Sequence, residues 1–478
     1  MSSPNAHVDI RLLDGPPYRT ILKLALPTVI AMVSQSAVNE IDVLFFARLP
    51  GCEASTAQAA LLPSLILVWL FGGSLSAISV GTQALTARRY AEKKYHEAGA
   101  VMANAAWFCL TAGLLFSLLG AFTISSLLHL MKLGPEVHSV ALEYSRWRLL
   151  GIISMSMTVG VKAFFDGIGK THVHLVAALV MNVFNVLFCW IFIFGHLGAP
   201  RMGAPGAGFS AFLSTWIGLF IVLGYTFPER GRFQPARFSN LSRKLTWDLL
   251  RLSLPAAAAT VIMMVGFGAF SGVAGYLDKV ANDAAVASAT FQQCGKVEAV
   301  NGAATTNIVA VMKLTFTACI AFGTATATLV SQSLGAKRPE TAAMFGWASV
   351  RLGFVLFGVI GLCEGVLFTE EIVNFITHSP AVQKAAMIPM RIMGIVTPLI
   401  AVALILSEAL FGAGNTIYVA VAQLCLIFLV LLPFAIGLAI VAKVGLLGMW
   451  IAAVLYAIGA SIAMALKFRG GAWKTIKL

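Results

Sequence analysis

Twelve stretches of this chain are long and apolar enough to cross a lipid bilayer, and no other feature restricts its fold as strongly. They fall at residues 20–47, 58–87, 99–129, 138–165, 172–196, 206–228, 249–275, 308–334, 341–368, 382–410, 417–441 and 446–468. A spanning helix needs about 20 consecutive apolar residues, and inside lipid a helix satisfies its own backbone groups without a partner strand. The tenth stretch is the least regular, because Arg391, Pro389 and Pro398 interrupt it. Only 11% of the 478 residues are charged and 59% are hydrophobic, whereas a soluble domain carries roughly 25% charged residues. The expected fold is therefore an all-α membrane protein of twelve transmembrane helices. The first 17 residues are polar, and the first apolar stretch is a full span rather than a short leader core, so no cleavable signal peptide is expected.

The net charge of +13 raises the question of nucleic-acid binding. The distribution of basic residues answers it. If the N-terminus is cytoplasmic, the cytoplasmic segments hold twenty Lys and Arg residues and the outer segments seven. This is the positive-inside asymmetry, and it places both termini in the cytoplasm of a multi-pass cell-membrane protein with no nucleic-acid partner. The segment 229–248 is rich in basic residues and reads as a cytoplasmic linker.

The chain repeats itself across that linker. Pro135 and Pro380, Val137 and Val382, Arg146 and Arg391, Gly167 and Gly412, Gly169 and Gly414, and Thr171 and Thr416 are identical pairs, each separated by 245 positions. Leu24-Ala25-Leu26-Pro27 resembles Leu252-Ser253-Leu254-Pro255, and Gly81-Thr82 resembles Gly323-Thr324, at smaller offsets. The difference implies extra residues in the outer loop around 276–307. Residues 1–228 and 249–478 are thus expected to form two six-helix lobes. An even number of spans gives both halves the same orientation, related by a pseudo-two-fold axis along the membrane normal, with a cleft between them for substrate.

Ligand-bearing motifs are few. The run Gly167-Ile168-Gly169-Lys170-Thr171 lacks the upstream glycine of a phosphate loop, which argues against an ATP-driven pump. No metal-ligand spacing occurs, and no cofactor or enzymatic chemistry is expected. Five cysteines lie in apolar spans; Cys52 and Cys294 fall in outer loops and could pair.

Ionisable groups within spans are costly and mark function by default. Gln35, Asn39 and Asp42 are spaced i, i+4, i+7 and share one face of helix 1. Asn182, Asn185 and Cys189 form a second polar stripe on helix 5. Together the stripes could enclose one titratable carboxylate. Glu40, on the other side of helix 1, and Glu408, near the end of helix 10, are candidates for the cleft wall. Met264 and Phe267 on helix 7 would add adaptable apolar surface. Pro27, Pro63, Pro255, Pro389, Pro398 and Pro433 lie within spans; Pro27 and Pro255 are read as hinges, each removing one backbone hydrogen bond.

Several motifs in order resemble the multidrug and toxic compound extrusion (MATE) family over nearly the whole chain. They are Pro27 with Asn39 and Asp42, Phe45-Phe46-Ala47-Arg48-Leu49, Gly81-Thr82-Gln83-Ala84, and Asp166-Gly167-Ile168-Gly169-Lys170-Thr171. Ala327 to Ala336 and Phe411-Gly412-Ala413-Gly414-Asn415-Thr416 complete the set. The resemblance implies a monomeric antiporter that expels small, amphipathic, mostly cationic compounds in exchange for protons or sodium ions, with Asp42 as the coupling acid. Asp166 and Phe411 stand where the family often has Arg. Cys189 and Met263 stand where some branches carry a carboxylate, which leaves the coupling ion open. The alternative is a lipid-linked oligosaccharide flippase of the same superfamily. Such a protein would show a strongly cationic cavity, whereas intramembrane acids and bases are nearly balanced here.

Overall fold

The computed structural model describes residues 13–50, 52–130, 135–234, 240–287, 300–377 and 380–476. No strand occurs among them. Among the described residues, nine helices are individually long and apolar enough to span a membrane, and two more spans are pairs of shorter helices bent at a break. Helix 1, Pro17–Ala47, is the twelfth; its 31 residues reach about 46 Å at 1.5 Å per residue. Helix 2 comprises Cys52–Phe71, a 3-10 turn and Ile78–Ala91. Helix 3 is Tyr95–Leu130, helix 4 is Pro135–Leu150 with Ile152–Gly167, helix 5 is His172–Phe194 and helix 6 is Ala204–Gly224. The second lobe has helix 7 (Arg243–Ala287), helix 8 (Val300–Gly335) and helix 9 (Pro339–Leu362, continuing through a π-helical turn, Cys363–Leu367). Helix 10 is Pro380–Gly412. Helix 11 begins at Thr416–Cys425 and runs through further π turns to Val441, and helix 12 is Leu446–Arg469.

Two details differ from expectation. Helix 7 starts inside the segment read as a linker and runs on to Ala287, so much of the outer insertion is helix rather than loop. Asp278 near its far end accepts bonds from Asn301 N (2.8 Å) and Gly302 N (2.8 Å), capping the free amides that open helix 8. Second, two spans are broken at glycines rather than prolines. Helix 2 bends by 42° around Gly72 and helix 4 by 40° around Gly151, whereas Pro27 and Pro255 lie inside continuous helices. The two bends nest: a Cβ on Gly72 would sit 3.3 Å from Ile152. Close packing of one bend against the other supplies a reason for glycine there that a lone hydropathy profile lacks.

The duplication extends to backbone conformation. Gly169 and Gly414 follow helices 4 and 10 with φ of 80° and 87°. Gly203 (φ 61°, ψ −140°) and Gly445 (φ 69°, ψ −145°) precede helices 6 and 12, in a region open only to glycine. Lys93 and Lys337 close the turns after helices 2 and 8 with φ of 63° and 59°. The lysine pair sets the offset in this part of the repeat at 244, two more than the Gly81/Gly323 pairing implies.

Within each lobe, helices approach closely through small residues, as association in lipid requires. Helix 9 packs closely on helix 10, where a Cβ on Gly394 would lie 2.4 Å from Gly365 Cα and 2.7 Å from Gly361 O. Backbone cannot yield as a side chain tip can. Gly394→Val is expected to destabilise the protein by about 1–3 kcal/mol through overpacking, read as a lower melting temperature of the purified protein in detergent. An unchanged melting temperature would contradict this contact.

Candidate functional site at the lobe junction

In the first lobe, helix 5 packs against helices 1 and 6. Its polar stripe points at both: Asn182 Nδ2 donates to Ser34 Oγ of helix 1 (3.0 Å) and Asn185 Nδ2 to Ser214 Oγ of helix 6 (3.2 Å). Cys189 Sγ lies 3.9 Å from Asn185 Oδ1. Asn182 and Asn185 are buried, and Gln35 on helix 1 is half-buried. The side chains of Asn39, Glu40 and Asp42 lie outside the described residues, although their backbone belongs to helix 1. The side chain of Cys52 and the whole of Cys294 lie outside them too. Cys109, Cys189, Cys319, Cys363 and Cys425 are free thiols.

The lobes meet along helices 1 and 2 of the first and helices 7 and 8 of the second, and helices 2 and 8 form a polar seam at the end of the molecule where helices 2, 4, 8 and 10 finish. Gln83 Nε2 of helix 2 donates to Thr324 O (2.8 Å) and Thr328 Oγ1 (2.7 Å) of helix 8. Thr328 Oγ1 donates to Asp166 O of helix 4 (3.0 Å), and Ser331 Oγ to Ala84 O of helix 2 (2.8 Å). Gln332 Nε2 donates to Gly167 O at the end of helix 4 (2.8 Å). Arg88 is at the position equivalent to Gln332 by the lysine offset, and its Nη2 donates to Ala413 O, just past helix 10 (3.1 Å). Each lobe thus offers a donor from helix 2 or 8 to the carbonyls that end helix 4 or 10 of the other. Those carbonyls are free because a helix leaves its last C=O groups unpaired.

The chain ends join the same seam. Arg88 Nη1 donates to Ile476 O (2.6 Å), and Arg338 pairs with Asp14 (2.6 Å). Trp473 is buried and stacked on Phe468, which anchors the C-terminal segment. Beside the seam, Glu92 follows helix 2 in the aqueous turn. Partial burial pushes its carboxyl up, but bonds from Lys94 and Arg89 outweigh this and hold it below the usual carboxylate range. Buried helix-to-helix bonds in membranes average about 0.6 kcal/mol each. The seven bonds of Gln83, Arg88, Thr328, Ser331 and Gln332 then sum to roughly 4 kcal/mol. Moving a two-state equilibrium from one extreme to the other takes about 5.5 kcal/mol of differential binding.

Charged side chains gather just behind it. Lys162 Nζ of helix 4 lies 3.8 Å from Asp166 Oδ2 and 3.4 Å from His174 Nε2 of helix 5. Asp166 and His174 are buried, at 2% and 4% exposure. Glu408 of helix 10, in the other lobe, is within electrostatic reach of Lys162.

With this geometry in place, the family model named MatE matches the chain twice, over residues 27–191 and 293–437. The chain belongs to the MatE family. The MatE matches fall one in each half, in keeping with the internal repeat. A probable multidrug resistance protein, NorM, of Thermotoga maritima is 25% identical over 465 residues, 95% of this chain and 93% of that protein. The probable multidrug resistance protein YoeA of Bacillus subtilis is 21% identical over 91% of this chain and 89% of its own. Among solved structures, an outward-facing multidrug resistance MATE family transporter of the MOP superfamily superposes with a TM-score of 0.85 at 20% identity, covering 98% of both chains. MATE structures in bent and straight conformations give 0.82 and 0.83. These likenesses establish the twelve-span MATE fold of a multi-pass membrane transporter.

Within the MatE frame, the structure places the sequence candidates unequally. Asn182 and Asn185 face the interior of the first lobe, and Glu408 faces the junction. Met264 is 48% exposed and Phe267 half-buried on helix 7. Gln83, Thr328 and Gln332 occur in the motifs that carry the resemblance, yet nothing in their spacing assigns them to the seam. Lys162 and Asp166 are an i, i+4 pair within a span, a signal that sequence reading can find. His174 becomes a partner only when helices 4 and 5 pack. Among the described residues, no cluster of His, Cys, Asp or Glu is arranged to hold a metal ion.

Proposed function

We propose that this protein is a secondary active multidrug efflux antiporter that expels organic cations in exchange for protons or sodium ions, with Asp42 as its coupling carboxylate. The reading rests on MatE membership in both halves, joined to an interlobe seam of breakable side chain-to-carbonyl bonds. Multidrug resistance relatives of nearly full length support the substrate class. The lobes are residues 1–228 and 249–478, linked by 229–248. The sequence assigns twenty basic residues to the cytoplasmic segments, and on that reading the seam is the inner gate of a monomer in the cell inner membrane. Gln35, Asn39, Asn182 and Asn185 would surround Asp42 and exchange bonds as it gains and loses charge. Glu40 and Glu408 would attract the cationic substrate, and Met264 and Phe267 would adapt to its shape.

Pro27 leaves the carbonyl of Lys23 without its helical partner, while Thr28 Oγ1 turns back to Leu24 O (3.2 Å). Helix 1 is therefore weakest below Asp42. Pro27→Ala restores a donor and stiffens this point. It is expected to slow dye efflux several-fold while the protein still inserts; native efflux rates would remove the hinge from the mechanism.

The whole reading is tested in proteoliposomes. Uptake of a fluorescent cationic dye is followed under separately imposed proton and sodium gradients. Concentrative uptake driven by one gradient and abolished by collapsing it is expected. Dye equilibration without dependence on either gradient would end the antiport reading.

A further inference from the structure

The geometry points to a second proton-binding site, formed across the lobe junction by Lys162, Asp166, His174 and Glu408, whose occupancy controls the inner gate. It rests on the antiport reading above, but it concerns residues apart from helix 1. Lys162 Nζ stands between Asp166 Oδ2 (3.8 Å) and His174 Nε2 (3.4 Å). Two buried atoms in this group have no hydrogen-bond partner: Asp166 Oδ1 and His174 Nδ1. Across the junction, Glu408 of helix 10 is half-buried. It packs close to helix 8, where a Cβ on Gly323 would meet Glu408 Cγ at 2.7 Å.

Charge balance then dictates the ligand. One lysine faces two carboxylates, and His174 accepting from Lys162 is neutral. With both acids ionised the group carries one net negative charge, which one proton cancels. Few other charges intervene. Helix 6 contains no charged side chain, and helix 3 carries charged groups and histidines only at its ends. Arg88 of helix 2 is committed to Ala413 and Ile476, and Arg89 to Glu92 and Glu97. Lys313 of helix 8 and Arg351 of helix 9 are exposed, Glu364 in the π turn that extends helix 9 is half-buried and accepts from Thr315 Oγ1 (2.6 Å), and Lys467 and Arg469 of helix 12 sit in its last turn.

The group is tied to the seam through Asp166, whose carbonyl accepts from Thr328 and whose neighbour Gly167 accepts from Gln332. Closing the inner gate encloses Glu408 beside Lys162; opening it carries Glu408 away with the second lobe and exposes it to water. A net charge is harder to bear in the enclosed state. Proton binding therefore favours the closed gate, and deprotonation favours opening. The proton joins a carboxylate oxygen while the gate is shut and leaves to cytoplasmic water when it opens.

Gate opening can be read as the distance between spin labels at His96 and Arg469, both exposed at the seam end, in a cysteine-free background in detergent. Raising the pH from about 6 to 8 should shift the native protein toward the longer distance. Glu408→Gln and Asp166→Asn should each lose most of this shift, while Asp42→Asn should retain it. A full shift in both junction variants would overturn the site, as would its loss in Asp42→Asn alone. If dye uptake proves independent of any gradient while the pH shift still depends on Glu408, the site stands and the antiport reading falls.

Discussion

Replacing Asp42 by Asn is expected to cut gradient-driven dye efflux sharply while leaving insertion and dye binding in place. Asparagine keeps the shape of the side chain and its capacity to hydrogen-bond, but it cannot carry a charge that comes and goes. Polar groups gather around helix 1: Asn182 reaches Ser34, Asn185 reaches Ser214, and Gln35 lies on the helix face that Asp42 shares by spacing. No second acid on helix 5 can replace it, because Cys189 occupies the position where a carboxylate would complete that stripe. Coupling free energies between sites run at about 1–3 kcal/mol, or about 5–150-fold, so concentrative uptake in Asp42→Asn proteoliposomes should fall by that range. Equilibrium binding of the dye, read by fluorescence anisotropy, should change far less. Efflux within twofold of native would remove Asp42 from the engine. Loss of binding together with transport would instead make it a substrate contact.

How much of this was readable beforehand differs between fold and site for physical reasons. Spans are visible because lipid imposes one length and one polarity on each helix, and the duplication is visible because it preserved Gly167, Gly169, Gly412 and Gly414. Those glycines are held by local demands. Gly169 and Gly414 adopt positive φ, and a Cβ on Gly167 or Gly412 would strike Gln83 O or Ala327 O. The bends at Gly72 and Gly151 were not legible: hydropathy runs through them without a break, and the prolines drew attention instead. The seam was hidden for a different reason. Gln83, Thr328 and Gln332 mostly bond carbonyl oxygens, which every residue possesses, across separations such as the 241 positions from Gln83 to Thr324. A side chain aimed at backbone leaves no complementary residue type for a reader to find. The Lys162 group lies between these extremes, since its helix 4 half is an i, i+4 pair while Glu408 comes from a span in the other lobe.

Gly335→Val should hold the protein with its inner gate ajar and cut efflux without unfolding either lobe. Gly335 ends helix 8 against helix 2, and a Cβ there would lie 2.5 Å from Arg88 O, 2.8 Å from Arg88 Cα and 3.0 Å from Ala91 Cβ. Those atoms are backbone and a methyl group, so they cannot swing away; relief comes only by separating the lobes. Overpacking of this kind costs about 1–3 kcal/mol, comparable with the roughly 4 kcal/mol summed over the seam. A tenfold change corresponds to about 1.4 kcal/mol, so the closed-to-open ratio should drop by about 5- to 150-fold. Gly412→Val is the matched control: its Cβ would meet Ala327 O at 2.5 Å, a contact between helices 8 and 10 within one lobe. That variant should lower the melting temperature, because no rigid-body movement of lobes relieves it. Gly335→Val should melt near the native temperature, show a longer distance between labels at His96 and Arg469, and pump at least several-fold more slowly. A Gly335→Val protein that is as unstable as Gly412→Val, or that pumps at the native rate, would mean that the approach of helix 8 to helix 2 is not the gate.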